Sequence, residues 1–243
     1  MKSPRITWIS AADPPESFPN VEMASNVPNG LLATGGDLSE ARLLHAYRHG
    51  IFPWFSDGQP ILWWSPDPRC VIKPNSLHIS KRLTRYFKNS GFVITFNRCF
   101  SDVLSGCSKR RIGQDSTWIT DEMYGAYRNL HDNHWAHSIE VWRDRQLLGG
   151  LYGLAIDKVF FGESMFSDVT NASKAAMLGL CAILVANNFV LLDCQVESPH
   201  LLRMGAELIP RHQMTEILNV SCASLMPFNA WPTNALPLAD LSL

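Results

Sequence analysis

An acid and an amide stand two residues apart at the end of a short apolar segment. Residues 189–195 end in Asp193, Cys194 and Gln195. Strand side chains alternate between two faces, so Asp193 and Gln195 would share one face and Cys194 would point to the other. An unpaired buried carboxylate is costly, so Asp193 requires a partner. It either accepts backbone N–H groups as a structural carboxylate or orients the Gln195 amide, whose oxygen would accept a hydrogen bond or proton from an attacking amine.

Glu163 is a second acid in apolar surroundings. Residues 159–166 predict a strand in which Phe161, Glu163 and Met165 share one face. Two interpretations are open at this point. Glu163 is either a structural partner for an arginine or lysine, or the group that holds the ammonium of a substrate.

Two neighbouring patterns resemble nucleophilic sites, but each lacks a feature that such a site needs. Gly162 and Ser164 form half of a nucleophile elbow, but Phe166 replaces the final glycine and no strand–turn–helix context follows directly. Cys194 would need a nearby base to act as a nucleophile. Because alternation turns Cys194 away from Asp193, we expect a buried thiol.

Cysteine and histidine usage predicts neither disulfides nor a metal site. The six cysteines include no Cys-x-x-Cys pair, and a chain of 243 residues buries a sufficient core without disulfides. His131, His134 and His137 recur every three residues, but no paired cysteine or carboxylate cluster accompanies them. Structural or solvated histidines are therefore the favoured interpretation, with reduced thiols and no metal.

The bulk properties exclude some classes and leave others open. The formal net charge of −1 does not decide RNA binding, because phosphate contacts depend on local positive charge. No segment approaches the roughly 18 apolar residues of a membrane helix. The N-terminal residues lack the apolar core of a secretory signal. We therefore expect a cytoplasmic protein without membrane contact.

The elements that must position these residues follow from periodicity and capping. Short polar turns join the predicted strands at 138–142, 147–156 and 159–166, which indicates an antiparallel meander. A buried helix that Asn171 caps and that runs to about Asn187 comes next, and the strand at 189–195 follows it, so we predict an α+β fold. Three further helices are predicted. The first is capped by Asp37 or Ser39 and ends near Gly50, the second begins after Ser80, and the third runs from Thr120 to about His131.

Two surface features could bind nucleic acid. Residues 51–64 contain three tryptophans and two phenylalanines, which either form a packing wedge between domains or a platform on which bases stack. The helix after Ser80 carries Lys81, Arg85 and Lys88 on one face, and residues 109–111 add a second basic cluster. These charges belong either to a solvated face or to a phosphate-binding surface.

Ten motifs occur in order along the chain. They are PNGLLA (28–33), GGDLS (35–39), GIFPWF (50–55), ILWWSPDPR (61–69), TWIT (117–120), AHSIEVW (136–142), GGLYG (149–153), GESMFS (162–167), NASK (171–174) and DCQ (193–195). In this order they resemble the leucyl/phenylalanyl-tRNA–protein transferase family over roughly residues 26–212. The first 25 residues and those after about residue 217 carry nothing diagnostic.

The resemblance implies a fold and a reaction. It implies a small N-terminal domain at residues 1–67 and, at residues 68–243, an acetyltransferase-superfamily-like (GNAT-like) catalytic domain with a mixed, largely antiparallel sheet. It also implies transfer of Leu, Phe or, less readily, Met from Leu-tRNA or Phe-tRNA to proteins that begin with Arg or Lys, which marks them for degradation. The family needs no metal and no coenzyme A, so no cofactor is expected. We expect a monomer.

The resemblance also implies roles for individual residues. Glu163, Asp193 and Gln195 would form the catalytic centre. The tRNA 3′-terminal adenosine would lie against Trp54 and Trp118. The acceptor-stem phosphates would contact Lys81, Arg82, Arg85 and Lys88. We expect the aminoacyl side chain in an apolar pocket lined by Leu151, Met165, Met177, Leu180, Leu184 and Leu192. Ser198 departs from the family pattern, which leaves its role open.

Alternatives stay open for the proton route and for the function. Gln195, polarised by Asp193, would draw on the amine proton, or both residues would only position the amine while a ribose hydroxyl of the tRNA shuttles the proton. A coenzyme A-dependent N-acetyltransferase would need a glycine-rich loop where residues 167–171 contain no glycine and one acid. A non-catalytic RNA-binding module would explain the tryptophans and the basic helix, but not the paired Asp193 and Gln195.

Overall fold

The computed structural model describes residues 6–108 and 119–241, which form two sheets and the helices that cover them. A four-stranded sheet has the order β1-β2-β4-β3 and comprises β1 (Thr7–Ile9), β2 (Leu31–Gly35), β3 (Phe52–Pro53) and β4 (Leu62–Trp64). The sequence patterns predicted only a helix in this segment. Its strands are two to five residues long, too short for alternation to identify them.

The second sheet has eight strands in the order β11-β5-β10-β9-β8-β7-β6-β12. Its strands are β5 (Arg69–Ile72), β6 (Val93–Phe96), β7 (Ala136–Arg143), β8 (Gln146–Ile156), β9 (Val159–Ser167), β10 (Leu191–Gln195), β11 (Glu207–Ile209) and β12 (Leu236–Pro237). Only the β9–β10 pairing is parallel within this sheet. The predicted meander and the predicted α+β fold with a mixed, largely antiparallel sheet are confirmed.

The helices fall on both faces of the large sheet. They are α1 (Glu40–Arg48), α2 (Lys81–Asn89), α3 (Phe100–Ser108), α4 (Asp121–Asp132), α5 (Ala172–Ala186), α6 (Pro199–Arg203) and α7 (Arg211–Ser221), with short 3₁₀ turns at Val21–Met23, Pro74–Ser76 and Leu238–Asp240. The core on one face contains residues of α1, α3 and α4, and the core on the other face contains residues of α5. None of the helices in the described ranges is long and apolar enough to cross a bilayer.

Capping explains where the predicted helices begin. Ser80 and Thr120 accept N–H groups from Leu83 and Met123, respectively, as N-cap residues do. The prediction for Asn171 is only half right. Asn171 precedes α5 with a left-handed φ of 70°, but its side chain accepts a bond from the Lys174 ammonium instead of capping the helix.

One core cluster joins the two sheets. It contains Ile9 and Trp63 from the small sheet together with Tyr152 and Phe161 from the large sheet. The small sheet ends at Trp64, and the large sheet begins five residues later. The domain boundary after residue 67 stays a prediction.

Strand β9 contains a bulge at its acidic residue. Tyr152 is opposite Ser164 and Gly153 is opposite Gly162, so Glu163 is the extra residue. One extra residue reverses the alternation beyond it. Phe161 therefore packs in the core beside α3 and α4, whereas Met165 packs on the α5 side. The prediction that Phe161, Glu163 and Met165 share a face is wrong for this reason.

Gly153 provides a test of this bulge, because its position leaves no room for a side chain. A Cβ atom there would overlap the Phe161 carbonyl oxygen and lie 2.6 Å from a Phe160 ring carbon. We expect Gly153→Ala to lower the free energy of unfolding by about 1–3 kcal/mol, measured by urea titration.

Gly125 in α4 is the matched control. A Cβ atom there meets nothing within 4 Å, so Gly125→Ala should raise the free energy of unfolding by about 0.5–1 kcal/mol through helix propensity. Equal stability of Gly153→Ala and the unsubstituted protein would contradict the tight bulge.

Candidate active site

Glu163 lies at the centre of a hydrogen-bonded cluster drawn from four elements. The Tyr47 hydroxyl on α1 lies 2.7 Å from Oε1, and the Tyr127 hydroxyl on α4 lies 2.6 Å from Oε2. From β10, Gln195 Nε2 donates to Oε1 at 2.8 Å. The carboxyl group therefore has three polar partners but no basic one among them.

A proton count shows how this cluster is satisfied. The Tyr47 and Tyr127 hydroxyl oxygens also lie 2.6 Å from each other, so the two phenols and the carboxyl group make three mutual contacts. Two phenol protons satisfy only two of them. A protonated Glu163 supplies the third, and each of the three groups then donates once. The geometry fits a carboxyl group that is neutral in the substrate-free protein.

The electrostatics of the cluster agree with this count. Burial raises the pKa of Glu163 to about 7, although the hydrogen bonds that Tyr127, Tyr47 and Gln195 donate to its ionised form act in the opposite direction. Burial and the neighbouring Glu163 also raise the pKa of Tyr47 and of Tyr127 well above 10, so both phenols hold their protons. Glu163 is thus placed to take up or release a proton near neutral pH.

Asp193 forms a buried ion pair with Arg69 of β5. The guanidinium Nε donates to Oδ1 at 2.9 Å and Nη2 donates to Oδ2 at 2.7 Å, and the side chains are 1% and 0% exposed. Arg69 also donates to the Gly50 carbonyl and lies over the Phe52 ring. Such a bidentate, fully hydrogen-bonded pair is the arrangement in which two buried charges are tolerated.

Asp193 acts on the backbone of Gln195 and not on its side chain. Asp193 Oδ1 accepts the Gln195 backbone N–H at 2.9 Å, whereas the Gln195 side chain bonds to Glu163. A bulge between residues 193 and 195 breaks the alternation, and Gln195 has a left-handed φ of 63°. The hypothesis that Asp193 orients the amide by direct contact is therefore corrected: Glu163 holds the amide.

An apolar cavity of about 100 Å³ opens beside this cluster. Five of the six predicted pocket residues line it: Leu151, Met165, Met177, Leu180 and Leu192. Glu163, Cys194 and Leu201 also contribute to the wall. Leu184 does not, because it lies one helical turn beyond Leu180 and packs in the core of the α5 face. The volume is of the same order as the roughly 150 Å³ of an apolar cavity that binds benzene.

Cys194 lies in the wall of this cavity and the residue is half-buried, whereas alternation predicted a buried thiol. A hydrogen bond to the Cys70 thiol and burial raise the pKa of Cys194 well above 9. While Cys70 is reduced, Cys194 therefore stays a neutral thiol, which does not suit the nucleophile of an acyl transfer.

The aromatic run divides between core and surface. Trp63 is fully buried and donates its indole N–H to the Gly35 carbonyl. Trp54 is 46% exposed and lies beside Trp64, whose indole N–H donates to the Trp54 carbonyl at 2.7 Å. A packing function is therefore correct for Trp63, whereas Trp54 retains a ring surface for stacking. Trp118 lies outside the described residues.

The basic face of α2 is open to solvent. Lys81, Arg82, Arg85 and Lys88 are exposed, and Phe87 buries the opposite side of the helix. Within residues 6–108 and 119–241 none of these four cations forms an ion pair. The second basic cluster, residues 109–111, lies outside the described residues.

Two of the three spaced histidines have structural partners, and the third, His134, is exposed. His131 Nδ1 contacts the Ala136 carbonyl, and its ring stacks on Phe100. His137 is buried between the His134 carbonyl and the Asn97 side chain. In the part of the chain that the structure describes, no group of three or more potential ligands could hold a metal ion.

Sequence analysis missed three residues of this site: Arg69, Tyr47 and Tyr127. A signal existed for each. Arg69 begins the apolar segment Arg-Cys-Val-Ile, and a buried arginine requires an acid. Tyr47 and Tyr127 fall at the apolar positions of their helices, where a buried phenol still needs a hydrogen-bond partner.

Two family models match the chain. The model described as "Leucyl/phenylalanyl-tRNA protein transferase" matches residues 71–219. The N-terminal domain of the same transferase matches residues 36–67. The first of these ranges includes Glu163, Asp193 and Gln195, whereas Arg69 lies between the two ranges.

Curated relatives with this name are similar over most of the chain. The leucyl/phenylalanyl-tRNA–protein transferase of Saccharophagus degradans is 50% identical over 224 residues, which cover 92% of this chain and 91% of the relative. The corresponding protein of Hahella chejuensis is 52% identical over 217 residues, covering 89% and 92% of the two chains.

Some solved structures are similar more weakly. One is L-PGS from Bacillus licheniformis, which is 10% identical with a TM-score of 0.40. The match covers 66% of this chain and 52% of that chain. A GCN5-related N-acetyltransferase-like protein from Streptococcus suis has 10% identity and a TM-score of 0.34, with coverage of 70% and 65%.

The buried ion pair supports a stability prediction. Arg69→Met leaves the Asp193 carboxylate buried without its counter-charge, so we expect the free energy of unfolding in urea to fall by about 3–5 kcal/mol. Lys73→Met is the control, since it removes the Lys73–Glu207 pair four residues away, whose side chains are 59% and 45% exposed. That change should cost about 1 kcal/mol or less. Similar losses in the two variants would contradict the assigned importance of the buried pair.

Glu163 should also make stability depend on pH. Its native pKa of about 7 exceeds the ordinary value of 4.5, so the native state retains a proton that the unfolded state releases. This contribution is fully present below pH 4.5 and is lost as pH rises through about 7. Glu163→Gln is neutral throughout, so its stability relative to the unsubstituted protein should increase between pH 5 and pH 8. If urea titrations give parallel stability–pH curves for Glu163→Gln and the unsubstituted protein, the raised pKa of Glu163 is excluded.

Proposed function

The chain belongs to the leucyl/phenylalanyl-tRNA–protein transferase family, and we propose that it moves leucine or phenylalanine, and less readily methionine, from tRNA to the N-terminal arginine or lysine of acceptor proteins. The product is a new peptide bond that marks the acceptor for degradation. The observation that carries this proposal is the apolar cavity beside the Glu163–Gln195 pair, because it provides an aminoacyl pocket next to groups that bind amines.

The cavity supports selection of the donor by its side chain. Its wall is mainly Leu and Met, which match unbranched apolar side chains without a directional contact. One methylene is worth only about 1–3 kcal/mol in such a pocket, so transfer of Met follows from the same wall. The donor α-amine is attached to the carbon that carries this side chain. Since Glu163 lines the same cavity, we assign the donor amine to Glu163.

The acceptor amine is assigned to Gln195. Its amide nitrogen is committed to Glu163, and within the described residues its amide oxygen makes no hydrogen bond. That oxygen is available to accept an N–H from the attacking amine and direct the nitrogen lone pair toward the ester carbonyl. Asp193, itself fixed by Arg69, holds the Gln195 backbone in its left-handed conformation. Asp193 is a positioning residue in this assignment.

The chemistry asks little more than alignment and proton transfer. The aminoacyl ester is already activated, and proximity alone supplies several kcal/mol of the barrier. The acceptor nitrogen attacks the carbonyl carbon, the bond to the ribose oxygen breaks, and that oxygen leaves as a hydroxyl after receiving a proton. An amide is a weak base, so Gln195 only aims the amine. A hydroxyl group of the tRNA ribose passes the amine proton to the leaving oxygen.

The tRNA is assigned to two surfaces. Exposed cations on α2 suit phosphates, which position a nucleic acid without reading its sequence. The exposed ring of Trp54 suits stacking of the terminal adenine, with Trp118 as its proposed partner. The division into domains at residues 1–67 and 68–243, the monomeric state and the cytoplasmic location remain parts of this proposal.

One assay tests the reaction. Phe-tRNA is mixed with the protein and a peptide that begins with Arg, and the peptide is analysed by mass spectrometry for one added Phe residue. The matched control peptide begins with Asp and should gain nothing. Acetylation in a parallel reaction with acetyl-coenzyme A, without transfer of Phe, would instead support an N-acetyltransferase.

Gln195 should be required for the chemical step. With saturating Phe-tRNA and peptide, we expect Gln195→Ala to lower the single-turnover rate about 100-fold, because misplacement of a reactant by about 1 Å has an effect of that size. Gln146→Ala removes an exposed glutamine from the start of β8 and should react at the normal rate. Near-normal transfer by Gln195→Ala, or by Asp193→Asn, would contradict the assigned centre.

The basic face of α2 should govern tRNA affinity and its salt dependence. The triple change Lys81→Ala, Arg85→Ala and Lys88→Ala should weaken Leu-tRNA and Phe-tRNA alike and reduce the slope of log affinity against log salt by up to about 3. Arg128→Ala on α4 removes an exposed cation elsewhere and should leave that slope unchanged. Unaltered binding by the triple variant in filter-binding titrations would refute this surface.

A further inference from the structure

Two cysteines face each other where β5 pairs with the end of β10. Val71 is opposite Asp193 and Cys70 is opposite Gln195, which makes Cys194 the extra residue of the bulge. At a bulge two residues of one strand oppose one residue of its partner, so Cys194 and Gln195 both oppose Cys70. Opposed residues in antiparallel strands have Cα atoms about 4.5–5.5 Å apart, within the roughly 4.4–6.8 Å range of disulfides. Both thiols are free.

We propose that Cys70 and Cys194 are a redox-modification site, at which a hydroperoxide converts the two thiols to a reversible disulfide that stops aminoacyl transfer. Disulfides in reducing compartments are typically transient and sense oxidants, so this proposal is compatible with a reduced resting state. The existence of the disulfide does not depend on the proposed function, whereas its effect on transfer does.

The two thiols have complementary reactivities. The Cys70 and Cys194 thiols are in contact, which lowers the pKa of Cys70 and raises that of Cys194; the Cys194 sulfur also lies 3.9 Å from the Leu192 carbonyl oxygen. The thiolate is the form that attacks a peroxide. Burial instead raises the pKa of Cys99, Cys181 and Cys222 to about 12, so these thiols stay protonated. Oxidation should therefore favour the pair over Cys99, Cys181 and Cys222.

The cavity offers a route for the oxidant. Cys70 is fully buried, but its partner Cys194 is partly exposed and lines the cavity. A hydroperoxide small enough to enter the cavity reaches Cys194. Cys70 does not line the cavity, so its reaction requires a local opening at the bulge. Larger oxidants, such as a peptide that contains a disulfide, should react slowly with Cys70 and Cys194.

The reaction balances with one equivalent of hydroperoxide. The Cys70 thiolate attacks one peroxide oxygen, the O–O bond breaks, and the leaving alkoxide takes a proton to become an alcohol, or water when the oxidant is hydrogen peroxide. The Cys70 sulfenic acid is then attacked by the Cys194 sulfur, which forms the S–S bond and releases water. In sum, two electrons and two protons pass from the thiols to the peroxide.

The consequence for activity follows from the position of Cys194 between Asp193 and Gln195. Bond formation draws the β10 bulge toward β5 and removes the Cys194 sulfur from the cavity wall. Gln195 is the adjacent residue, and its contact with Glu163 is a single hydrogen bond of 2.8 Å. A shift of the bulge therefore displaces the amide that aims the acceptor amine.

The test combines peptide mapping with transfer assays on the full chain. After treatment with hydrogen peroxide, non-reducing proteolysis and mass spectrometry should yield a Cys70–Cys194 cross-linked peptide. Transfer of Phe should fall at least tenfold and return on addition of dithiothreitol. Cys70→Ala should transfer Phe normally before treatment and resist the peroxide. Cys181→Ala, which removes a different fully buried thiol, should behave as the unsubstituted protein does.

Two outcomes would overturn the proposal. The first is peroxide treatment that yields other cysteine pairs or only sulfinic and sulfonic acids at Cys70 and Cys194. The second is a Cys70–Cys194 cross-link that leaves transfer unchanged. Peptide mapping needs no enzymatic activity, so a failure of the proposed function is distinguishable from a failure of the disulfide.

Discussion

The bidentate ion pair between Arg69 and Asp193 connects β5, β10 and the N-terminal segment. Arg69 begins β5, Asp193 lies in β10, and the same guanidinium binds the Gly50 carbonyl and covers the Phe52 ring of the N-terminal segment. Two opposite charges in a core are tolerated only when their hydrogen bonds are satisfied. Here that requirement links the small sheet to the end of β10, and through the Gln195 backbone it fixes the residue assigned to the acceptor amine.

The site lies where the neighbouring strands β9 and β10 separate. The parallel pairing of β9 and β10 stops at Phe161 and Asp193, and each strand contains a bulge directly afterwards, at Glu163 and at Cys194. A bulge bends its strand and re-aims a side chain. The two bulges together let the Glu163 carboxyl group and the Gln195 amide meet across the gap, beside the apolar cavity. The same irregularity brings Cys194 opposite Cys70, so the geometry that builds the site also exposes it to oxidation.

Glu163 shows how burial without a counter-charge differs from burial with one. Asp193 has Arg69, whereas Glu163 has two phenols and an amide, and its pKa is raised to about 7. A carboxyl group in such surroundings changes its protonation state at little cost near neutral pH. Asp193 is thereby held in a buried ion pair, whereas Glu163 can change its protonation state, which is the property that the proposed contact with the donor amine uses.

Local sequence determined the elements whose signal is local. The caps at Ser80 and Thr120, the meander of β7, β8 and β9 and the buried helix α5 were predictable from periodicity and turn chemistry. The pocket residues were expected only together with the family resemblance, and five of the six line the cavity. The ordered motifs also determined the family. Tertiary structure alone decided the partners of the polar groups, since Tyr47 lies 116 residues from Glu163 and Arg69 lies 124 residues from Asp193. It also decided the two bulges, because a single extra residue leaves no mark on composition yet reverses every side chain beyond it.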